Sequence, residues 1–244
     1  MFNILKNYRP KLSDIIPKNY TDIHCHLLPG IDDGAETVSD SLNLINKMKK
    51  LGFTKIIATP HTYPGLYNNT NETIRNSYNE VIRNLKNKIN IEYASEYMID
   101  NSFLEKIGKD NLLVLKDNYV LVEMSFMSPP LKLYDIIFEL QINNYIPVLA
   151  HPERYRFMHN NLSEYKKLKK LGCLFQLNIL SCTDYYGKDI TKISDKLIQN
   201  ELIDFTGSDI HNMNHILSFE KKVNFSKNTL QKLNGLMTNN NLFD

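Results

Sequence analysis

Short apolar runs alternate with amphipathic stretches along most of the chain. Seven runs have the length and composition of buried strands, at 20–26, 53–59, 91–95, 119–123, 146–150, 174–178 and 202–207. Apolar residues recur at helical spacing in the segments around 38–51, 71–89, 101–107, 132–143, 161–171, 191–200 and 227–238. Because predicted strands and helices alternate along the chain, the pattern predicts a parallel α/β fold.

One of these helices has clear boundary signals. Thr37 and Asp40 have the spacing of a capping box, and Gly52 is placed to stop the helix. Residues 1–19 are polar, contain two prolines, and are interpreted as an N-terminal extension ahead of the first strand. We find no linker, internal repeat or low-complexity stretch after them, so residues 20–244 are predicted to form a single catalytic domain.

Histidines and acidic residues stand where the predicted strands end. Nine of them are candidate metal ligands: His24, His26, Asp33, His61, Glu96, Glu123, His151, Asp209 and His211. The carboxyl ends of the strands share one face in an α/β barrel, whereas an open sheet concentrates its site at one switch point. Candidate ligands after nearly every strand therefore favour a seven-stranded barrel over an open sheet.

The chemistry of this set points to metals. His24 and His26 are two positions apart, so on an extended strand both imidazoles face the same side. A carboxylate at the end of a buried strand is costly unless it is paired or metal-bound, and Glu96 and Glu123 both hold such positions. His61 alone would be interpreted as a loop histidine. Together, imidazoles and bridging carboxylates predict a multinuclear metal-dependent hydrolase.

Several polar neighbours have more than one interpretation. Asp22 could orient a ligating imidazole, while Asp32 could equally be a turn former. Gln176 and Asn178 could hold a water or a ligand, or serve hydrogen bonding in the core. The sequence leaves these roles open.

Arg154 is one of only five arginines and lies three residues after His151. Its planar guanidinium suits bidentate contact with a phosphate near the metals. The alternative is a surface ion pair with Glu153. His159 and His215 follow no strand end and are interpreted as surface residues, although His215 is near the last candidate ligands.

Composition and charge exclude several classes of function. The 29 basic and 27 acidic residues nearly cancel, so no surface dedicated to nucleic acid or membrane binding is indicated. No apolar run reaches the roughly 20 residues of a membrane span. Lys6 and Arg9 are not followed by the apolar stretch of a secretory signal, so the cytoplasm is the expected location.

Cysteine chemistry is not supported by the sequence. The three cysteines are an odd number without paired spacing, so no disulfide framework is expected. A cysteine phosphatase typically has an arginine six positions after its nucleophile, and here those positions hold Ile31, Ile179 and Lys188. Cys25 alternates with its two histidine neighbours and is expected to pack behind the site. The chain has no glycine-rich phosphate loop.

The candidate residues occur in segments that resemble, in order, the motifs of the polymerase and histidinol phosphatase (PHP) superfamily. Residues 22–35 are similar, more narrowly, to the bacterial CpsB/CapC-type protein-tyrosine phosphatases of capsule and exopolysaccharide systems. The segments that carry the resemblance are Asp22–His26, Gly30–Ala35, Thr59–His61, Ala94–Tyr97, Leu121–Ser125, Ala150–Tyr155 and Ser208–Asn212.

The resemblance implies a distorted seven-stranded (β/α)7 TIM-like barrel with two or three bound metals, commonly Mn²⁺, with iron or zinc as alternatives. The nine candidates fall at the family's ligand positions, and Arg154 matches a family arginine near the phosphate. Arg154, Asp209 and His61 are the expected catalytic residues. Many members carry a second arginine after the last ligands, but residues 213–218 contain none, so His215 is expected to help Arg154 bind the substrate.

The implied substrate is the phosphotyrosine tail of a cytoplasmic bacterial tyrosine autokinase, without nucleic acid partners or membrane insertion. Two rivals remain open. One is another PHP phosphoesterase, acting on histidinol phosphate in a deep closed pocket or on nucleic acid. The other is a metal-stabilised module that binds the kinase without turnover, although such modules usually lose ligands.

Overall fold

The computed structural model describes residues 9–86, 88–109 and 111–244. Within these ranges the helices are α1 Leu12–Ile15, α2 Val38–Lys50, α3 Asn71–Asn84, α4 Asn101–Lys106, α5 Leu133–Ile142, α6 Leu162–Lys170, α7 Lys188–Gln199, α8 Met213–Ser218 and α9 Lys227–Asn239. The strands are β1 Tyr20–Asp22, β2 Phe53–Ala58, β3 His61–Thr62, β4 Asn90–Tyr93, β5 Glu96–Met98, β6 Tyr119–Glu123, β7 Ile146–Ala150, β8 Leu174–Asn178 and β9 Phe205–Gly207. Among these helices, none is both long and apolar enough to cross a membrane.

The strands form two parallel sheets. One has the order β1-β2-β4 and the other β3-β5-β6-β7-β8-β9. Beyond β1, Cys25 makes a single parallel bridge to Ile210, which follows β9. The predicted parallel α/β fold is confirmed, because helices connect successive parallel strands as they must when each crossover returns the chain to the same sheet end.

The predicted strands are shorter than expected near the candidate ligands. The regular strand structure stops at residues 59–60 after β2 and at residues 94–95 after β4. His61 and Glu96 therefore begin new short strands, β3 and β5. The first strand ends at Asp22 and not at His26. Beyond it, Cys25 makes only the isolated bridge to Ile210, and its carbonyl accepts from the Thr59 N–H at 2.8 Å. The predicted count of seven strands is therefore not confirmed.

Most predicted helices are present, with differences at their ends. The Thr37 capping box is confirmed: its hydroxyl accepts from the Asp40 N–H, and the Asp40 carboxylate accepts from the Thr37 N–H. The helix predicted over 71–89 ends at Asn84, because the chain turns extended at Leu85 to reach β4; residue 87 lies outside the described residues. The sequence pattern missed α1 and α8, which are too short to show helical periodicity.

The predicted N-terminal extension is described from residue 9 onward. There it packs on the rest of the chain: Leu12 is fully buried, and its N–H donates to the Lys221 carbonyl at 2.9 Å. The Val223 N–H donates to the Pro10 carbonyl at 2.9 Å. Residues 9–19 therefore contribute to the folded body, while the part of the extension at 1–8 lies outside the described residues.

Residues 240–243 cover the amino ends of the strands. Phe243 is fully buried, with its ring centroid 4.9 Å from Phe205, which begins β9, and 5.5 Å from Tyr119, which begins β6. Asn240 is also buried; its side chain donates to the Thr206 carbonyl at 2.7 Å and accepts from the Thr206 N–H at 3.1 Å. This end of the fold is apolar, and its polar groups are paired.

Candidate metal centre

The carboxyl ends of the strands bring the nine candidate ligands together. Glu96 lies at the centre: one of its oxygens is 3.2 Å from His24 Nε2 and 3.0 Å from His61 Nδ1, and the other is 3.1 Å from His151 Nε2. Asp209 Oδ1 lies 3.4 Å from the Nε2 atom of His24. All nine belong to four overlapping groups whose ligand atoms lie within 4.8 Å of one another: His26, Asp33, His61 and His211; His24, His151 and Asp209; His24, His26 and Glu96; His61, Glu96 and Glu123.

A tight turn after His26 brings Asp32 and Asp33 back to the histidines. The Ala35 N–H donates to the His26 carbonyl at 3.1 Å, and Gly34 lies against the same carbonyl. A Cβ atom at Gly34 would stand 2.1 Å from the His26 carbonyl oxygen, so only glycine fits this close approach. The turn between Gly30 and Gly34 thus positions the carboxylates of Asp32 and Asp33 beside the histidines.

His151 and Asp209 both have left-handed backbone conformations, with φ of 36° and 53°. This region is unfavourable for residues other than glycine, and such strain is typical of functional sites. Backbone hydrogen bonds hold both residues in place: the His151 N–H donates to the Gln176 carbonyl at 2.8 Å, and the Asp209 N–H donates to the His24 carbonyl at 2.7 Å. The strain turns both side chains inward at the point where their strands end.

Hydrogen bonds behind the histidines orient their rings. His24 Nδ1 lies 2.7 Å from the Gln176 side-chain oxygen, and His26 Nδ1 lies 2.8 Å from an Asp32 oxygen. With Nδ1–H donated in both cases, each Nε2 lone pair points into the cluster, as is usual for metal-binding histidines. Asp32 also accepts from the Gly34 N–H at 3.0 Å, so it is both a turn former and an orienting acceptor.

The structure does not support the possible role of Asp22 in orienting an imidazole. Asp22 is fully buried, and its carboxylate accepts from the backbone N–H and the hydroxyl of Ser208. It therefore ties β1 to the loop after β9. Because Gln176 and Asp32 reach the two imidazoles from other elements, residue spacing gave no signal for their roles.

The donor set fits a transition metal. Within the described residues, Glu96 Oε2 and His61 Nδ1 are buried without a hydrogen-bond partner, although they lie 3.0 Å apart. Burial tends to lower the pKa of His61, but the carboxylates of Glu96 and Glu123 outweigh it and raise that pKa to about 12. Buried polar atoms are normally satisfied. Imidazole nitrogens and carboxylate oxygens crowded in this way are what divalent transition cations bind.

Arg154 lies against the cluster, in the wall of a pocket of about 290 Å³. Its Nη1 donates to Asp209 Oδ2 at 2.8 Å. The alternative of a surface ion pair with Glu153 does not hold: Glu153 is fully buried and accepts from the Asn178 N–H at 3.0 Å and the Ser181 hydroxyl at 2.7 Å. Arg154 is therefore available to the pocket.

Asn178 and His215 also reach this region. The Asn178 side chain donates to Asp209 Oδ2 at 2.7 Å, which resolves its open role as hydrogen bonding to a candidate ligand. His215 lines the pocket, and its Nδ1 accepts from the His211 N–H at 3.0 Å. Burial and the neighbouring His211 lower the pKa of His215 to about 4. His159 lies away from the pocket and donates to the Glu153 carbonyl at 2.7 Å.

The cysteines are unsuited to nucleophilic chemistry. Cys25, Cys173 and Cys182 are all free and buried. Burial raises the pKa of Cys173 to about 12 and the pKa values of the other two well above the usual range. The thiolate is the reactive form, so these side chains are inert near neutral pH.

The sequence matches, over residues 20–240, the model of a protein family described as "Capsular polysaccharide synthesis, CpsB/CapC". It is 34% identical over 196 residues to tyrosine-protein phosphatase YwqE of Bacillus subtilis (strain 168), covering 79% of this chain and 77% of that protein. It is 26% identical over 201 residues to tyrosine-protein phosphatase CpsB of Streptococcus pneumoniae, covering 79% of this chain and 83% of that protein.

The fold has solved counterparts. One comes from crystal structures of YwqE from Bacillus subtilis and CpsB from Streptococcus pneumoniae, described as unique metal-dependent tyrosine phosphatases; it superposes with a TM-score of 0.77 at 31% identity and covers 88% of this chain and 86% of that chain. An amidohydrolase from Mycoplasma synoviae superposes with a TM-score of 0.54 at 12% identity, covering 97% and 91%. The second likeness concerns the fold alone.

Proposed function

We propose that this chain, which belongs to the CpsB/CapC family of capsular polysaccharide synthesis proteins, is a metal-dependent protein-tyrosine phosphatase. The observation that carries the proposal is the convergence of nine imidazole and carboxylate side chains in one cluster, six of which line the pocket that also contains Arg154. The named relatives YwqE and CpsB supply the substrate class, since both are tyrosine-protein phosphatases.

The nine clustered residues are the proposed metal ligands: His24, His26, Asp33, His61, Glu96, Glu123, His151, Asp209 and His211. Four overlapping groups of donors accommodate two or three ions, for which we propose Mn²⁺, with iron or zinc as alternatives. When bound, the metals supply positive charge for the phosphoryl oxygens and activate water as the nucleophile.

Arg154 is the proposed phosphate-binding side chain. Its pairing with Asp209 leaves further N–H donors for the phosphoryl oxygens, whose charge must be offset as the bond to the ester oxygen breaks. Asp209 thus joins the arginine to the ligand cluster, and His61 lines the same pocket. Because the phenol of tyrosine ionises with an ordinary pKa of about 10, tyrosinate leaves more readily than an alkoxide, and a strong general acid is less necessary.

His215 is the proposed second substrate contact. Because its Nδ1 accepts from the His211 N–H, the neutral ring carries its proton on Nε2. A neutral N–H donor on the pocket wall can bind a phosphoryl oxygen, although it lacks the charge of the arginine found here in many relatives. We therefore assign it a smaller contribution than that of Arg154.

We propose that the natural substrate is the phosphotyrosine tail of a tyrosine autokinase of the capsule or exopolysaccharide system, met in the cytoplasm. The pocket is more suitable for the protruding side chain of a peptide than for a small enclosed metabolite, because half-exposed residues such as Asp33 and Phe126 line it. Near-neutral net charge supports a protein substrate over nucleic acid, which needs a basic stripe.

We also propose that the two sheets belong to one distorted seven-stranded barrel. The support is the parallel bridge from Cys25 to Ile210, which joins the chain after β1 to the chain after β9. Hydrogen bonds continue across the breaks as well: the Ala94 N–H donates to the Ala58 carbonyl at 2.8 Å, and the Glu96 N–H donates to the Pro60 carbonyl at 3.1 Å.

Initial rates on a phosphotyrosine peptide and on histidinol phosphate, with and without Mn²⁺, test the function. We expect the peptide to be hydrolysed much faster, activity to vanish in EDTA, and Mn²⁺ to restore it. Full activity in protein verified to be metal-free would contradict the metal-dependent mechanism. Preference for histidinol phosphate would favour the small-molecule rival, and tight peptide binding without turnover would favour the binding module.

A further inference from the structure

The guanidinium of Arg154 lies against two aromatic rings. Its central carbon is 4.7 Å from the ring centroid of Phe126 and 4.4 Å from that of Tyr186. One edge of the same group is occupied by its hydrogen bond to Asp209. Because two rings and one hydrogen bond already surround this group, a phosphoryl group must bind along a remaining edge, close to the two rings.

The two rings are held differently. The Tyr186 hydroxyl accepts from the Asn178 side chain at 3.2 Å, which fixes this ring within the fold. Phe126 is 46% exposed and lies in the loop between β6 and α5. Its ring also packs 5.6 Å from His151, while its neighbour Met127 is 86% exposed. An apolar ring has thus been turned back onto the pocket, although it remains half accessible to solvent.

The rest of the pocket wall is polar. Among the described residues that line it, Phe126 and Tyr186 alone offer carbocyclic aromatic faces, and the others are histidines, carboxylates, Arg154 and Asn212. A polar wall suits a phosphoryl group, but it offers little apolar surface to the phenyl ring of a phosphotyrosine. That ring must leave the pocket at its mouth, where Phe126 is exposed.

We propose that Phe126 forms an aryl subsite, in which its exposed ring packs against the phenyl ring of the substrate and selects aryl over alkyl phosphate monoesters. This inference rests on the proposed phosphatase function and adds a specificity-determining residue to it. Offset or edge-to-face packing of two aromatic rings adds to the burial of their surfaces, so the contact favours phosphotyrosine over phosphoserine.

Tyr67 is the rival for this role. Its ring stacks on His61, with centroids 5.4 Å apart and an interplanar angle of 11°. Tyr67 faces a neighbouring pocket and is absent from the wall that contains Arg154. Phe126 is favoured because its ring covers the guanidinium itself, so a bound phosphate ester lies beside Phe126 and not beside Tyr67.

Binding of phenylphosphonate and methylphosphonate to the Mn²⁺-loaded protein separates the possibilities. Calorimetry gives both Kd values directly, without relying on turnover. We expect Phe126→Ala to raise the Kd of phenylphosphonate about tenfold and that of methylphosphonate less than about twofold. Phe126→Leu should give an intermediate loss, because leucine keeps apolar area without an aromatic face. Tyr67→Ala, the matched aromatic control, should leave the ratio of the two Kd values unchanged.

Three results would overturn the inference. An equal rise in both Kd values would mean that Phe126 acts only by holding Arg154. Unchanged Kd values in Phe126→Ala would mean that its ring does not meet the ligand. A selective loss in Tyr67→Ala would place the aryl contact beside His61. Failure of the wild-type protein to hydrolyse a phosphotyrosine peptide would instead count against the proposed function, since the phosphonate ratio is measured independently.

Discussion

The two ends of the strands have opposite chemistry. At the amino ends, Phe243 fills an apolar cluster and Asn240 satisfies the backbone of Thr206 on both its N–H and its carbonyl. At the carboxyl ends, four carboxylates and five imidazoles are packed together, and buried atoms of Glu96 and His61 have no hydrogen-bond partner among the described residues. One end therefore stabilises the fold, while the other concentrates charged side chains and unpaired buried atoms that a bound cation would satisfy.

Left-handed backbone occurs at both ends of the strands, but in residues of different kinds. At the carboxyl ends it occurs at two candidate ligands, His151 and Asp209, which follow β7 and β9. At the amino ends it occurs in turn residues that precede β1, β6, β7 and β9, none of which is a candidate ligand: Asn19, Asp117, Asn144 and Glu201. In α/β barrels this is the usual arrangement, since loops after the strands carry function and the other face carries stability. The comparison predicts that substitutions at the two ends separate activity from stability.

Glu96→Gln should have the largest effect, and on activity. The substitution keeps the size of the side chain but removes the charge shared by His24, His61 and His151. We expect metal content to fall and kcat/KM on a phosphotyrosine peptide to drop about 10⁴-fold, since the loss of bound metal removes several kcal/mol of transition-state stabilisation. Elemental analysis and steady-state kinetics measure both.

Glu92→Gln is the matched control for that substitution. Glu92 lies on β4 and pairs with Lys55 at 2.8 Å, away from the cluster. It should retain its metals and its activity. Wild-type metal content in Glu96→Gln would contradict the central position that we assign to this carboxylate.

Phe243→Ala should have the opposite signature. Removing a fully buried phenylalanine leaves a cavity between Phe205 and Tyr119, which typically costs about 3–5 kcal/mol of folding free energy. The folded fraction should keep its metals and its kcat/KM, because the change lies at the far end of the strands. Denaturant unfolding with activity measured below the transition tests this. Phe138→Ala, at a position 59% exposed, is the control and should unfold like the wild type.

Arg154→Ala should affect activity alone. A charge-assisted contact made in the transition state is typically worth a few kcal/mol, so kcat/KM should fall roughly 10²-fold with metal content unchanged. Arg154→Lys should recover only part of the lost kcat/KM, because an ammonium keeps the charge but cannot make the planar fork contact. Arg156→Ala, an exposed arginine two residues away, is the matched control and should be near wild type.

His215→Ala ranks the two proposed substrate contacts. It should cost less than Arg154→Ala, because a neutral imidazole makes a weaker contact than a guanidinium. Near wild-type activity in Arg154→Ala together with severe loss in His215→Ala would show that the phosphate is anchored from α8.

The sequence predicted well what depends on local spacing. The two-residue separation of His24 and His26 placed both imidazoles on one side, and their Nε2 atoms lie 3.3 Å apart. The Thr37–Asp40 box opened its helix as expected. Both features follow from periodicity within a few residues, so no knowledge of distant partners was needed.

The sequence failed where the answer depends on distant residues. Asp22 and Asp32 are equivalent acids near the first histidines, yet Asp32 orients His26 while Asp22 bonds to Ser208, which is 186 positions away. The left-handed backbone at His151 and Asp209 could not be predicted from residue type, because histidine and aspartate adopt this conformation more often than most residues but still in a minority of cases. The metal-ligand roles themselves remain predictions, which the variants above test.

The smallest effect is expected from removing every thiol. Cys25, Cys173 and Cys182 are buried, and burial raises their pKa values far from neutrality, so none supplies a thiolate. Cys25 lies between two candidate ligands, but its Sγ is directed to the Ile57 carbonyl at 3.7 Å, behind the cluster. A triple Cys→Ala variant should therefore keep kcat/KM within about threefold of the wild type, with unchanged metal content and some loss of thermal stability from the small cavities. Alanine is chosen over serine because a buried hydroxyl without a partner would destabilise the fold for reasons unrelated to catalysis. Loss of turnover in a folded variant that still holds its metals would show that a cysteine, and not a metal-activated water, attacks the phosphorus.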